Sequence, residues 1–146
     1  MDVKDMYAKE ATTTEDFEQI LEMAKDHPAV EYDCGYETYA DVIRKTVGSP
    51  AFKGWILYGD DEEAAGYIMA IRENLLKNQI NVVDIYLDPE ARGMGRFKML
   101  TDKVVEWAEM VGALRVTWTS KWPLKKWSDK LNLKLSEYTT FILEVQ

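Results

Sequence analysis

The segment from residue 83 to residue 100 constrains the fold more than any other part of the sequence. A β-rich run over residues 80–87 ends at Asp88-Pro89, and a glycine-containing loop then leads into a long amphipathic helix. Gly93 and Gly95 in that loop tolerate positive φ and let a ligand approach the backbone closely. Because the first N–H groups of a helix are unpaired and its dipole is positive there, such a loop attracts anions.

This loop predicts an anion site, and a pyrophosphate is the natural ligand for it. Three cationic side chains surround the loop and support the prediction: Arg92, Arg96 and Lys98. Taken alone, a short G-x-G also fits a plain tight turn into a helix, so the flanking pattern has to decide between the two interpretations.

The flanking pattern predicts one α+β (mixed α/β) domain over residues 1–146. Apolar residues recur at helical spacing in some segments and dominate short strand-like runs in others. Thr14 is a good N-cap for the first helix, and Gly112 is a C-cap for the helix after the loop. The predicted elements are strand 3–10, helices 14–28 and 37–47, strands 54–58, 65–71 and 80–87, helix 95–111, strand 114–119, helix 123–131, and strands 133–135 and 139–145. Helices that follow this order cover both faces of one sheet.

Charge argues against nucleic acid as a partner. The formal net charge is −8, and the acids are concentrated in one half of the chain. Residues 1–75 hold 17 acids and 7 bases, a net charge of −10, whereas residues 76–146 hold 9 acids and 11 bases, a net charge of +2. This asymmetry is compatible with scattered surface charge, or with a basic half that faces an anionic cofactor and an acidic half that faces a cationic substrate.

Other compositional features exclude several classes of protein. Cys34 is the only cysteine, so no disulfide forms within the chain and a thiolate metal site is not expected. No apolar run approaches the roughly 18 residues that span a bilayer, and the first residues do not resemble a signal peptide. We therefore expect a cytoplasmic protein with no membrane contact. The single histidine, His27, follows the first helix and is predicted to lie on the surface.

The run Leu87-Asp88-Pro89-Glu90-Ala91-Arg92-Gly93-Met94-Gly95 resembles the most distinctive motif of the GNAT superfamily, the acyl-CoA-dependent N-acyltransferases. In that motif a strand ends in V-x-P-x-x and is followed by Q/R-x-x-G-x-G/A, which opens the helix that cradles the pyrophosphate of coenzyme A. Arg92 stands at the Q/R position and Gly95 at the first motif glycine. The resemblance needs no gap from Asp84 to Leu100, and the surrounding predicted elements follow the family's order.

The resemblance implies the GNAT fold, one central, mostly antiparallel and splayed sheet of about six or seven strands with helices on both faces. It also implies acetyl-CoA as cosubstrate, no metal, and often a homodimer. The thioester would sit where the fourth and fifth strands separate, between Leu87 and Trp118. Backbone groups along the fourth strand would meet the pantetheine arm, and the loop would surround the pyrophosphate: Ile85, Tyr86 and Leu87 for the former, and Arg92, Gly93, Met94, Gly95, Arg96 and Phe97 for the latter.

Two positions depart from the family's pattern. Phe97 stands where the motif has a second small residue, and its ring either turns into the core or narrows the cofactor slot. Trp127-Ser128-Asp129-Lys130-Leu131-Asn132-Leu133 resembles the family's F-Y-x-x-x-G-F segment, so Ser128 replaces the tyrosine that protonates the departing thiolate. Ser128 is a candidate for that role, or else an exposed helix serine.

The general base is a second open question. Acyl transfer to an amine requires a group that takes a proton, and Asp84 is the only acid within the β-rich run. Asp84 is therefore the candidate base; the alternatives are a solvent-facing strand residue or a partner of a lysine. Three acids near the loop between the first two helices could hold a cationic amine or be plain surface charge: Glu31, Asp33 and Glu37.

The aromatic and basic residues of the last third of the chain allow two interpretations. Trp118 and Trp127 suit a core, whereas Trp122 could contact an acyl group or an acceptor. The lysines of the last predicted helix either face solvent or pair with the 3′-phosphate of the adenosine: Lys121, Lys125, Lys126 and Lys130.

The sequence therefore predicts an N-acetyltransferase that moves an acetyl group from acetyl-CoA to a primary amine of a cationic small molecule or protein. The alternative is a GNAT-fold protein that has lost catalysis and acts as a binding or inhibitory module for a basic partner. Phe97, Ser128 and the lack of an obvious base favour the alternative.

Overall fold

A five-stranded sheet, in which neighbours in space are also neighbours in the chain, organises the described part of the protein. The computed structural model describes residues 6–28, 30, 34–73, 78–93, 95–119 and 143. Their elements are, in chain order, β1 (Tyr7–Ala11), α1 (Thr14–Ala24), α2 (Tyr36–Thr46), β2 (Phe52–Tyr58), β3 (Ala64–Glu73), β4 (Gln79–Leu87), a 3₁₀ turn (Pro89–Ala91), α3 (Arg96–Val111) and β5 (Arg115–Thr117).

Strands β1 to β4 pair in antiparallel fashion, and β5 joins the edge of β4 in parallel after the crossover through α3. The predicted mixed α+β sheet is confirmed, with five of the expected six or seven strands among the described residues. The helix predicted at 123–131 and the strands predicted at 133–135 and 139–145 lie outside the described residues. None of the described helices has the length and apolar character that crossing a membrane requires.

Each face of the sheet has its own core, because successive side chains of a strand point to opposite faces. On one face α3 buries Leu100, Val104 and Trp107 against side chains such as Leu57 and Ile68. On the other face α1 and α2 cover a second cluster, whose central members are Phe17, Ile20, Leu21, Ala40, Ile43, Ile56, Tyr67 and Met69. The prediction that helices cover both faces is therefore confirmed.

The ends of α1 differ from the prediction. The N-cap is Thr13 and not Thr14, because Thr13 Oγ1 accepts from the Asp16 N–H while Asp16 Oδ2 accepts from the Thr13 N–H. These two reciprocal bonds form a capping box. The helix ends at Ala24, a few residues before the predicted end at Pro28.

Helix α2 buries Ala40 and Ile43 against the core, whereas Val42 is 54% exposed. Adjacent helical positions are rotated by about 100°, so Val42 points away when Ile43 points inward. Tyr39, one position before Ala40, packs partly against the same core.

Replacement of Thr13 by alanine is expected to destabilise the protein by about 1 kcal/mol, since an orphan N–H loses its partner. The same replacement at Thr14, which is exposed in the first turn, should change the stability by less than half of that. Urea unfolding of the two variants compares the costs, and equal costs would contradict the assignment of Thr13 as the cap.

Asp16 should make its contribution to stability only above its titration range. Hydrogen bonds from the Thr12 N–H, and then from Thr13, hold the pKa of Asp16 below its ordinary value of 3.8. A carboxyl with a lowered folded pKa stabilises the protein fully above its unfolded pKa, and the contribution is lost as the pH falls through the folded value. The stability difference between wild type and Asp16→Ala should therefore be constant from pH 7 to about 5 and shrink below about 4. A difference that persists at pH 2 would contradict this.

Candidate active site

Strand β4 contains one extra residue, and this bulge decides which side chains face α1 and α2. Met69 of β3 pairs with Asp84, but the next residue, Ala70, pairs with Val82, so Val83 has no partner on β3. An extra residue reverses the alternation of the strand beyond it. Val82 consequently packs in the core beneath α3, whereas Asp84 lies on the opposite face, beside Met69.

Four side chains from four parts of the chain meet at this point, and we call them the Asp84 cluster: His27, Tyr39, Tyr67 and Asp84. Asp84 Oδ2 accepts from the hydroxyls of Tyr39 and Tyr67, each at 2.6 Å. Asp84 Oδ1 lies 2.9 Å from Nε2 of His27. The two hydroxyls are also 3.4 Å from each other. The cluster joins β4 to β3, to α2 and to the segment after α1.

The Asp84 carboxyl is largely removed from water, since its side chain is only 13% exposed. A buried carboxylate is costly unless hydrogen bonds replace its lost hydration. Bonds of 2.6 Å from hydroxyl groups are in the short range that is typical of an ionised acceptor. Asp84 is therefore not a solvent-facing strand residue, and its partners are two tyrosines and a histidine, and not a lysine.

Both tyrosines of the cluster are held in the protonated form. Burial, followed by the negative charge of Asp84, raises the pKa of Tyr39 well above its ordinary value. The same two causes raise the pKa of Tyr67 still further. Each hydroxyl therefore keeps its proton at any physiological pH and acts as a donor to Asp84.

His27 is not the surface residue that the sequence predicted. Its side chain is only 16% exposed, and its ring centroid lies 5.1 Å from that of Tyr86. Its partner Asp84 is 57 positions away in the chain, so no local pattern around Asp26-His27-Pro28 indicates the contact. Tyr39 and Tyr67 were missed for the same reason. The one available signal was Asp84 itself, since an acid within an apolar run requires buried partners.

The glycine loop after β4 has the conformation that its sequence predicts. Gly93 has φ of 94° and Gly95 has φ of 80°, both in the left-handed region that favours glycine. Within the described part of the chain, a Cβ built at either position meets nothing within 4 Å, so the described residues leave the space beside both glycines open. Gly95 is the N-cap of α3, and the Arg96 N–H bonds to the Gly93 carbonyl at 3.1 Å.

The three cations predicted around the loop have different roles. Arg92 Nε donates to the Leu87 carbonyl at 3.1 Å and connects the loop to the end of β4. Arg96 NH1 donates to the Glu90 carbonyl at 3.4 Å and connects the start of α3 to the 3₁₀ turn. Arg96 is buried, which is unusual for an arginine. Lys98 instead pairs with Asp102 on the exposed side of α3.

Phe97 turns its ring toward the core. It is partly buried and packs against the cluster beneath α3 that contains Leu100 and Val104. Positions 97, 100 and 104 lie on one face of a helix, so the helical repeat directs the ring inward. Of the two interpretations of this position, the structure supports the one in which the ring joins the core.

Strands β4 and β5 pair only over their first residues. The ladder joins Gln79, Ile80 and Asn81 to Arg115, Val116 and Thr117, and β5 then ends, whereas β4 continues to Leu87. Trp118 and Thr119, which the sequence assigned to this strand, lie outside the ladder. Within the part of the chain that the structure describes, residues 82–87 therefore have no strand partner on the β5 side. An unpaired edge offers N–H and C=O groups to an extended ligand.

Several predicted site residues lie outside the described residues: Met94, Ser128, Glu31, Asp33, Trp122, Trp127 and the lysines of residues 121–130. Glu37, in contrast, is exposed in the first turn of α2. Among the side chains that are described, no group of three or more His, Cys, Asp and Glu residues is arranged to hold a metal ion.

Solved structures with the same fold include three acetyltransferases that match nearly the whole chain. A possible acetyltransferase from Clostridium difficile 630 has a TM-score of 0.76 at 17% identity and covers 97% of this chain and 98% of its own. AAC(6')-Iy in complex with the bisubstrate analog CoA-S-monomethyl-acetylneamine has a TM-score of 0.71 at 18% identity, covering 97% and 99%. An aminoglycoside acetyltransferase from an uncultured soil metagenomic sample, in complex with sisomicin, has a TM-score of 0.78 at 10% identity, covering 98% of each.

At these identities the likeness establishes the fold. No curated protein matches the chain significantly. The sequence itself matches the family described as "Acetyltransferase (GNAT) family" over residues 14–123, from the start of α1 past β5. The matched span includes the Asp84 cluster, the glycine loop and the open edge of β4, and the chain therefore belongs to the GNAT family of acetyltransferases.

Proposed function

We propose that this protein transfers an acetyl group from acetyl-CoA to a primary amine of a cationic small molecule or protein. The observation that carries the proposal is the arrangement along β4. One strand presents the Asp84 cluster on its face, an unpaired stretch on its edge, and the glycine loop at its end. Asp84 precedes Leu87 by three residues, about 10 Å along the strand.

The residues of β4 and the loop fit acetyl-CoA. Backbone groups of Ile85, Tyr86 and Leu87 would hold the pantetheine arm along the open edge. The loop from Arg92 to Phe97, including Met94, would hold the pyrophosphate at the start of α3, where the helix dipole is positive. The open space beside Gly93 and Gly95 gives the phosphates room to reach the backbone. The related AAC(6')-Iy has been solved in complex with CoA, which supports this placement.

When bound, acetyl-CoA supplies an activated acetyl group as a thioester. Backbone donors at the end of β4 would polarise the carbonyl oxygen. The acceptor nitrogen would attack the carbonyl carbon directly, and the Asp84 cluster would take up the proton that the nitrogen loses. Ser128 remains our candidate for returning a proton to the departing thiolate.

Acidic side chains near the end of β4 favour a cationic acceptor. Burial raises the pKa of Asp88, a hydrogen bond with Tyr86 lowers it, and the negative charges of Asp26 and Glu90 raise it. A group of acids lowers the free energy of a nearby ammonium ion. The soil acetyltransferase of the same fold binds sisomicin, an aminoglycoside, which supports the same acceptor class.

Calorimetric titration with acetyl-CoA should show saturable binding by the wild type and none by Gly95→Trp, whose side chain would fill the phosphate space. Gly112→Trp is the matched control, because Gly112 caps the other end of α3 with φ of 73° and equally open space. Both substitutions force a left-handed residue and should cost about 1–2 kcal/mol of stability. Arg92→Ala should weaken the binding by freeing the loop from Leu87.

Two outcomes would contradict the placement of acetyl-CoA. One is a well-folded wild type that does not bind it, and the other is an equal loss of affinity in Gly95→Trp and Gly112→Trp. Either outcome would favour the alternative that this protein binds a basic partner without catalysis.

Transfer to amines should depend on the acceptor's positive charge. We expect sisomicin or a linear polyamine to be acetylated, with kcat/KM falling as salt screens the attraction. Asp88→Asn should raise the KM for such an acceptor about three- to tenfold with little change in kcat, since it removes attraction to the bound cation. Glu15→Gln makes the same charge change at the far end of α1, about 16 Å from Asp26, and should have no effect. Equal effects of the two variants would show that only net charge matters.

A further inference from the structure

We propose that His27 is the group that accepts the proton of the acceptor amine, and that Asp84 is its positioning residue. This inference rests on the proposed function and deepens it, because it assigns the proton to one atom, Nδ1 of His27. It also changes the role of Asp84 from the base itself to the residue that orients the base.

The contacts of Asp84 determine which nitrogen of His27 carries the proton. Tyr39 and Tyr67 both donate to Oδ2, and an ionised carboxylate has acceptor capacity only. His27 Nε2 must therefore be the donor in its 2.9 Å contact with Oδ1. A neutral imidazole with its proton on Nε2 has a lone pair on Nδ1. The arrangement thus orients His27 with Nδ1 as the basic atom.

The Nδ1 atom of His27 makes no hydrogen bond to the described residues. It is also buried. A buried acceptor without a partner costs free energy, and such atoms are kept where a ligand or a reaction satisfies them. An acceptor amine that donates to Nδ1 would satisfy this atom on binding.

Asp84 is less suited to take the proton directly. Both of its oxygens already accept hydrogen bonds, and two of its three partners are tyrosines that cannot pass a proton onward at physiological pH. His27 lies between α1 and α2. Two titratable groups of β4 contact its ring, Asp84 through Nε2 and Tyr86 through ring packing. Asp26 precedes it in the chain, and Tyr39 of α2 and Tyr67 of β3 bond to the other oxygen of Asp84.

Acetyl transfer to the amine forms one bond, breaks another and moves one proton. The amine nitrogen forms a bond to the thioester carbonyl carbon, and the bond from that carbon to sulfur breaks with its electron pair on sulfur. The nitrogen loses one proton to His27 Nδ1, which makes an imidazolium that Asp84 stabilises. Ser128, our candidate donor, would give its hydroxyl proton to the thiolate of coenzyme A and regain one from His27, which returns to its neutral form.

The kinetic test uses His27→Gln, whose side-chain amide can still donate to Asp84 but has no basic nitrogen. For the wild type, kcat/KM should rise with pH along a limb that reports the loss of a proton from the base. His27→Gln should lose about 10²- to 10³-fold in kcat at neutral pH and lose that limb, while acetyl-CoA affinity stays unchanged. Asp84→Asn should lower kcat but keep the limb.

Tyr39→Phe is the matched control, since it removes one hydrogen bond to the other oxygen of Asp84 and leaves His27 in place. We expect a loss of a few-fold in kcat and a retained limb. If His27→Gln lost no more than Tyr39→Phe and kept the limb, His27 would be structural and the inference would be overturned. A wild type that binds acetyl-CoA but acetylates no amine at any pH would overturn the proposed function and this inference together.

A second measurement does not depend on activity or on any variant. His27 is the only histidine, so an untagged protein labelled with ¹⁵N gives one imidazole to observe by NMR. When the ring is neutral, long-range ¹H–¹⁵N correlations should show the proton on Nε2 and a bare Nδ1. A proton on Nδ1 would overturn the inference while leaving acetyl transfer by another base intact.

Discussion

The structure around the candidate site depends on the burial of one carboxylate. Asp84 is only 13% exposed, so the free energy of its lost hydration has to be recovered from hydrogen bonds. The chain recovers it with donors from three other places: Tyr67 on the neighbouring strand, Tyr39 on α2, and His27 after α1. The positions of both helices on this face of the sheet are therefore linked to the ionisation of a single side chain.

Strand β4 can serve this cluster and a ligand at once because of its bulge at Val83. Without the extra residue, Asp84 would share the α3 face with Ile80 and Val82, where the core is apolar. With it, Asp84 meets the tyrosines. The other end of the strand is also closely constrained, since a Cβ at Gly66 would lie 2.6 Å from the Tyr86 carbonyl oxygen. Only glycine at that position lets β3 approach β4 this closely at Leu87, the last residue of the strand.

The features that could be predicted from the sequence are those determined by residues close together in the chain. The glycine loop, the long helix α3 and its Gly112 cap follow from residues within a few positions of each other, and all three are found. The mostly antiparallel sheet with helices on both faces followed from the resemblance. The contacts of His27 could not be predicted, since its partner Asp84 is 57 residues away. The bulge was missed because nothing in residues 80–87 distinguishes an extra residue from a regular one, and it alone decides which face Asp84 occupies.

Phe97 illustrates how the surroundings change the meaning of a departure from a motif. From the motif alone, Phe97 in place of a small residue suggests that the cofactor slot is blocked and that the protein has lost catalysis. In the structure, position 97 belongs to the same helical stripe as Leu100 and Val104, and its ring packs against the core beneath α3. Among the described residues, none crowds a Cβ built at Gly93 or Gly95. Because the ring packs into the core, the departure adds packing at the start of α3 and gives no physical reason to exclude acetyl transfer.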